Sequence, residues 1–516
     1  MSQTSKRARF FSSGILLTAV GIAMRTVGLF SGAFITRTVG AEGVGLFTLV
    51  MTVYGFAVTF ATSGISLTVT RLVAEAIGEK REERLPRILS GAVLYAGLFS
   101  VSAMFALLFG ADFFAVRVLS DPRCALCLRI LAPSLPPLAL LSVLSGYFIG
   151  VRKVTRNAIT QIAGQLFKIG LTVFCLLRAG RGDIAASAAL LSLVTTASEI
   201  LSFLVIFFQY LFERKRDTGR GKPEFSPVFR TAIPLGLSTF IRQSVVTAEH
   251  ILIPRRLRLH GESPAAALSE YGVLHGMALG VVLYPMATLT SFSGLLVPEF
   301  AESFAADDRR RLSRLAGETM EATLSYAVVV AVFLAFFSEE IGYAVYHSSA
   351  AGLYIAVLAP VVPIMYLDHV TDNMLKGIGE QVYSMWVNIT DAALSVLLVF
   401  LLLPPLGIMG YALVIIGMES YNFFLSLIRL RRRIPFRIRP VRAILLPALF
   451  AGAAVFCESL LFFSMGSAVS LFWLLSRMLF AVCVLVACAT AARLLPLLFR
   501  RKRADAPAPA LPRAKR

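Results

Sequence analysis

Charge is scarce along this chain. Only 16% of its 516 residues are Asp, Glu, Lys or Arg and 57% are hydrophobic, whereas a soluble domain is about 25% charged and about 45–50% apolar. An ordinary water-soluble protein is thereby excluded. The strict apolar–polar alternation of a lipid-facing strand is missing as well, which argues against a membrane β-barrel. No polar stretch is long enough to fold as a nucleic-acid-binding domain and no zinc-finger spacing occurs, so the net charge of +20 does not point to nucleic acid. There is no GxxxxGK[ST], hence no nucleotide-driven engine, and GAEGVG at 40–45 reads as a turn. No nucleophile–base constellation stands out, which ranks transport above catalysis. Cysteine is sparse too: of six, Cys124 and Cys127 form a CxxC. No second Cys/His pair at ligand spacing accompanies it, so it reads as two thiols near a helix start rather than a metal site.

What is present is a series of apolar runs, many of 18 residues or more, each a candidate transmembrane helix. They fall at 10–35, 44–66, 88–110, 126–150, 158–178, 184–211, 229–253, 270–297, 322–346, 352–375, 382–403, 406–429, 441–463 and 468–498. The chain therefore reads as an all-α polytopic membrane protein of about fourteen transmembrane helices. The basic start SKRAR and the run after it resemble a signal peptide. The run is too long and lacks a small-residue cleavage site, so it reads as an uncleaved first span. Most of the 50 Lys and Arg lie in short loops such as 80–87, 152–156, 214–222, 309–314 and 429–442. Their bias puts both termini in the cytoplasm. The Ala-, Pro- and Arg-rich tail 501–516 reads as disordered.

An internal repeat is visible. LAPSLPPLALLSVLSGYFIG at 131–150 aligns without gaps on LAPVVPIMYLDHVTDNMLKG at 358–377, matching Leu-Ala-Pro, a second proline and a closing glycine. It pairs the fourth span with the tenth. The even number of helices between copies implies two parallel six-helix lobes around a central cavity, plus two C-terminal helices. The expected organisation is an N-lobe at 1–212, a linker at 213–228, a C-lobe at 229–433 and the extra helices at 434–500.

Charges inside spans mark the candidate site, because an arginine at mid-bilayer costs about 2.5–3.5 kcal/mol on insertion scales and must face protein or water. On a 3.6-residue helix Gly21, Arg25, Gly28 and Gly32 share one stripe, with Gly28 and Gly32 placed as helix-packing positions. The seventh span repeats the theme: setting Arg242 on Arg25 brings Arg37 within one residue of Arg255. Gln161, Gln165 and Lys168 share a face of the fifth span. Glu199 and Glu419 are lone acids in theirs. Asp372 and Lys376 at i, i+4 explain each other as a helix-surface pair, while Asp368, Asn388 and Asp391 have no local partner. Such oxygens can hold a hard cation or relay protons. Glu249 shares a face with Arg242 and can neutralise it. The histidines read as packing residues.

Several of these pieces resemble a known family: Arg25-x-x-Gly28, Arg37-x-x-Gly40-x-Glu42-Gly43-Val44-Gly45-Leu46, Leu72-Val73-Ala74-Glu75, QIAGQLFKIGLTV at 161–173 and PLGIMGYAL at 405–413. In order and spacing they resemble stage V sporulation protein B-like polysaccharide transporters. These are relatives of the lipid II flippases in the multidrug/oligosaccharidyl-lipid/polysaccharide exporter superfamily. The chain departs from the pattern at Ser145, Gly164 and Lys168, where the family usually carries an arginine, an acid and an arginine. The resemblance implies a bacterial plasma-membrane flippase for a polyprenyl-pyrophosphate-linked sugar, with membrane lipids and the cell-wall synthesis machinery as partners. It implies substrate binding by Arg25, Arg242, Arg37 and Arg255, with Lys168 and Gln165 beside them. It also implies a coupling cation, Na+ or H+, at Glu249, Asn388, Asp391 and Asp368, no other cofactor, and a lipid-tail groove on the extra helices. The alternative reading is a cation-coupled multidrug exporter of the same superfamily.

Overall fold

The computed structural model describes residues 3–62, 64–79, 81–179, 183–213, 224–462 and 473–486. Before Ser31, the first helix has described side chains only at Met24, Val27 and Gly28. All regular structure among the described residues is helical. In chain order the α-helices are α1 (Gln3–Thr62), α2 (Ile65–Gly78), α3 (Leu85–Phe113), α4 (Cys124–Leu131), α5 (Leu135–Gly150), α6 (Val154–Ala179), α7 (Ile184–Glu213), α8 (Phe225–Leu259) and α9 (Pro264–Tyr271). There follow α10 (Leu279–Leu283), α11 (Met286–Ala305), α12 (Arg309–Phe336), α13 (Ser338–Tyr346), α14 (Ser349–Leu358), α15 (Val362–Gly377), α16 (Gln381–Arg433), α17 (Leu446–Phe462) and α18 (Trp473–Val486). π-Helical turns occupy Phe114–Leu119, Gly272–Ala278 and Val441–Leu445.

Ten segments among the described residues are long and apolar enough to cross a membrane, and Trp473–Val486 is a shorter apolar helix. The chain is thus a polytopic helical membrane protein. The difference from fourteen has physical sources. α1 carries the first two expected spans across a kink at Gly40 (φ 82°), and α16 carries the eleventh and twelfth across Gly407 (φ 59°) beside Pro404 and Pro405. Only glycine adopts such angles without a Cβ clash. α8 has 35 residues, ample length for a span, but Arg230, Arg242, Gln243 and Glu249 reduce its apolar character.

The sequence repeat reappears as repeated local structure. α4 passes into α5 through a 3-10 turn at Ala132–Ser134, and α14 passes into α15 through one at Ala359–Val361. The cause is the same in each: Pro133 and Pro360 lack an N–H and cannot continue the i to i−4 ladder. The closing glycines coincide in role as well. A Cβ on Gly150 would lie 2.7 Å from Val73 Cγ1, and one on Gly377 the same distance from Phe300 Cβ. Each copy therefore needs a glycine to let its broken helix press on a neighbour.

Charged side chains close the ends that carry the basic loops. Lys153 and Arg156 bind Glu213 at 2.6 and 2.8 Å, and Arg429 and Arg433 bind Glu380 at 2.8 and 2.5 Å. The register that sets Leu131 on Leu358 also sets Lys153 on Glu380, so the two copies make this contact with the signs exchanged. Arg84 grips Glu224 with two bonds of 3.1 and 2.8 Å, tying the start of α3 to the start of α8. That contact holds the Glu224 carboxyl below its ordinary value of 4.5. A depressed carboxyl stabilises the fold fully above its unfolded value and loses that contribution as pH falls through the folded one. Glu224→Gln should therefore lower stability by up to about 1 kcal/mol near neutrality. It should also shrink the loss of melting temperature between about pH 5 and about pH 3, measured on purified protein across a pH series.

Candidate functional site: two cavities at matching positions of the repeat

A cavity of about 930 Å³ opens among α1, α5, α6 and α7, with Gly276, Gly280, Tyr284 and Tyr346 on its far side. Hydroxyls and amides are gathered on its wall: Ser142 and Ser145 from α5, Asn157, Gln161 and Gln165 from α6, Ser198 and Ser202 from α7, set among apolar residues such as Leu141, Ile162 and Leu283. Lys168 and Glu199 supply its charge. Among the described residues neither makes a hydrogen bond or close ion pair through its side chain. The expected face of the fifth span is therefore correct: Gln161, Gln165 and Lys168 all reach one cavity. Gly28 and Gly32 line it too. A Cβ on Gly32 would meet nothing within 4 Å, so this glycine widens the cavity rather than packing a helix, contrary to expectation. Arg25, one turn before Gly28, has its side chain outside the described residues.

A second cavity, of about 450 Å³, lies among α8, α15 and α16 and is acidic. Asp368, Asp372 and Glu419 line it with Arg242, His369, Lys376, Ser384 and Asn388. Asp372 pairs with Lys376 at 2.6 Å, as the i, i+4 spacing predicts. Asn388 donates to the Ser384 carbonyl at 2.8 Å. Asp368 Oδ1 is buried without a hydrogen-bond partner among the described residues. Arg242 makes no hydrogen bond or ion pair there. Of the remaining cation candidates, Glu249 accepts from Ser395 at 2.7 Å, and Asp391 Oδ1, one turn before Ser395, is buried and unbonded. Among the described residues no three His, Cys, Asp or Glu converge as a metal site. The carboxylates are spread along the wall instead.

The two cavities occupy matching positions. In the register of the repeat, Leu141, Ser142 and Ser145 fall on Asp368, His369 and Asp372, while Asn157 and Gln161 fall on Ser384 and Asn388. All of them line their respective cavities. Even a bond is repeated: Asn157 donates to Ser145 at 2.7 Å, and Ser384 donates to Asp372. One backbone frame thus builds a neutral hydroxyl-amide pocket in the first copy and an acidic pocket in the second. The repeat at 131–150 and 358–377 holds half of this frame; its extension into α6 and α16 pairs cavity-lining residues of different types, so sequence similarity does not reveal it.

Arg37 and Arg255 line neither cavity. Arg37 donates to the carbonyls of Val345 (2.9 Å) and Ala344 at the end of α13. Arg255 donates to Ser120 Oγ (3.1 Å) and to the Arg117 carbonyl. Glu199 and Glu419, noted in the sequence only as lone acids, both face cavities. A single charge in an apolar span was the signal available for them. Ser145 is held by Asn157. At Gly164 a Cβ would lie 2.1 Å from Ser202 Oγ, so any side chain here must turn that hydroxyl aside.

A family model described as polysaccharide biosynthesis protein matches residues 11–304. The stage V sporulation protein B of Bacillus subtilis (strain 168) is 28% identical over 420 residues, covering 79% of this chain and 80% of that protein. The lipid II flippase MurJ of the same organism is 22% identical over 423 residues, 75% of this chain and 77% of that one. Among solved structures, an inward closed lipid II flippase MurJ superposes with a TM-score of 0.67 at 15% identity, over 92% of this chain and 98% of that one. An inward-facing multidrug transporter of the MATE family superposes with 0.68 at 15% identity, over 81% and 98%.

The contact at Gly164 has a measurable consequence. Gly164→Ala should lower stability by about 1 kcal/mol by displacing the Ser202 hydroxyl from its bond to the Ser198 carbonyl. In a Ser202→Ala background the same change should be neutral or stabilising by up to about 1 kcal/mol, the usual gain of alanine over glycine within a helix, as read from thermal unfolding of the four proteins.

Proposed function

The chain belongs to the polysaccharide biosynthesis protein family and is a membrane transporter rather than an enzyme, and from this premise we propose that it is a flippase for a polyprenyl-pyrophosphate-linked sugar. The cargo is a peptidoglycan precursor such as lipid II or a polysaccharide repeat unit, carried from the inner to the outer leaflet of a bacterial plasma membrane. The observation that carries this reading is the first cavity: a large pocket with many hydroxyls and amides, bearing Lys168 and Glu199, within the membrane-spanning bundle. Sugars are bound by such groups, and a pyrophosphate in a low-dielectric site calls for fixed cations. Arg25 lies on the stripe of Gly28 and Gly32, and Arg242 lines the second cavity without a hydrogen bond among the described residues, with Asp391 within its electrostatic reach. Guanidinium offers forked, permanently charged donors for phosphate.

In this reading the fourteen spans form two six-helix lobes, 1–212 and 229–433, that rock about the cavity, joined by the linker 213–228. Helices within 434–500 take the lipid tail, and both termini are cytoplasmic. Cell-wall synthesis enzymes supply and consume the cargo. The acidic second cavity supports coupling to Na+ or H+ through Asp368 and Asn388, with Glu419 joining them and with Asp391 and Glu249, outside its lining, as further candidates. An inside-negative potential adds about 4–5 kcal/mol per 100 mV for two negative charges moving outward. The same acids, with the likeness to a multidrug transporter, favour a second reading as a cation-coupled drug exporter. Lys168 beside Glu199 leaves the larger cavity without net charge among its described residues, which gives a cationic cargo no net attraction there.

A flipping assay in proteoliposomes decides between them. Arg25→Ala and Arg242→Ala should each slow translocation of the lipid-linked sugar by at least tenfold, as expected for loss of a charge-assisted phosphate contact. Collapse of potential and ion gradients should slow the parent protein. Normal flipping in both variants would remove the arginines from the mechanism, and export of organic cations without lipid flipping would establish the second reading.

A further inference from the structure

At the end of the molecule away from the basic loops, the two copies of the repeat are joined by contacts that obey the repeat's own symmetry. α13 ends at His347 and the helix through Phe114–Leu119 ends at Ser120; both residues are left-handed (φ 54° and 57°) and occupy the same register position. The last carbonyls of a helix have no partner within it and carry partial negative charge. Here the partner comes from the other copy. Arg37, in α1, binds the carbonyls of Ala344 and Val345; Arg255, in α8, binds the carbonyl of Arg117 and the hydroxyl of Ser120. Ala344 and Arg117 are equivalent in the register. Arg37 and Arg255 match to within one residue when Arg25 is set on Arg242, but in the register of the repeat Arg37 falls on Pro264, so the two clasps correspond in kind and direction rather than position by position.

Between them α1 crosses the chain around α9. A Cβ on Gly45 would lie 2.0 Å from the Leu268 carbonyl oxygen, and one on Gly272 would lie 2.5 Å from that of Ala41. Gly45 with Gly272, and Ala41 with Leu268, are again register equivalents. The crossing is backbone against backbone, flanked on each side by an arginine. Neither arginine meets a carboxylate among its described bonds. Each is held by neutral oxygens that it keeps only while the two copies touch.

We propose that Arg37 and Arg255 form a reciprocal latch that holds this face closed and must release, both clasps together, for the face to open. The inference rests on the alternating-access reading above but not on the cargo. Opening strips four backbone and hydroxyl oxygens of their donors and exposes two cations. The closed state thus depends on the clasps together with the buried Leu46, Leu268 and Leu274 beside the crossing, and Arg258 adds a 3.5 Å bond to the Ser120 carbonyl.

Double electron–electron resonance tests this on the full chain in nanodiscs, with its six cysteines replaced and spin labels at Ala186→Cys and Ala350→Cys. Both sites are exposed at this end, one in each copy. The parent should show one short distance. Arg37→Ala with Arg255→Ala should raise the ratio of long to short distances about tenfold or more, the effect of losing two hydrogen-bonded charges on a two-state equilibrium. Each single variant should give a smaller rise of similar size, and these carry the test if the double variant does not fold. Arg256→Ala is the control, since Arg256 lies over the Phe400 ring within its own copy and should leave the distances unchanged. An unaltered distribution in the latch variants, or an equal change in the control, would overturn the proposal. The readout is conformation, so a latch that governs distance in a chain that flips nothing would separate this inference from the flippase reading.

Discussion

A bilayer offers no hydrogen bond to a backbone, and every break in a spanning helix must therefore bring its own partner. This chain breaks its helices often, with prolines, glycine kinks and π-helical turns, and the tertiary structure is arranged around the carbonyls so released. Thr196 donates to the Ile130 carbonyl beside the Pro133 break at 2.8 Å. The phenols of Tyr366 and Tyr326 serve the carbonyls of Val282 and Pro285, at 2.8 and 2.9 Å, where α10 gives way to α11. His260 Nδ1 lies 2.9 Å from the Pro404 carbonyl at the kink in α16, against the glycine that makes the kink possible. Arg37 and Arg255 belong to the same series. They differ only in that their carbonyls belong to the other copy of the repeat.

Breaking a helix has a use in a transporter. A proline break followed by a closing glycine tilts the second half of the helix onto its neighbour and turns one face toward open space. In the first copy that face carries Ser142 and Ser145; in the second, at the same positions, it carries His369 and Asp372. The frame is duplicated while the chemistry is not. A pocket in which Lys168 faces Glu199 among hydroxyls and amides, and an acidic pocket bearing Arg242, suit different occupants.

The residues differed in how far their roles could be read in advance. Gln165 and Lys168 were legible because two polar groups three apart in an apolar span share a face, and that face must be sheltered from lipid. Asp372 and Lys376 were legible as a local pair. Arg37 and Arg255 were matched to each other correctly by spacing, yet spacing says nothing of where a long side chain ends. Both reach across the molecule to helix termini some 300 and 140 residues distant in sequence. Glu199 and Glu419 were visible as isolated acids, without any sign of the cavities they face. Gly164 was visible only as a departure from a pattern; its reason, the Ser202 hydroxyl, lies on another helix.

The sequence by itself determined the class of the molecule, its helices, its repeat and its charged faces. Those follow from local physics: apolar length sets a span, proline and glycine set a break, and a charge in a span demands shelter. Only the tertiary structure decided which shelter each charge found. That depends on which helices meet, and helices meet where glycines such as Gly45, Gly150 and Gly272 allow backbones to touch, a relation between distant residues that no local pattern encodes.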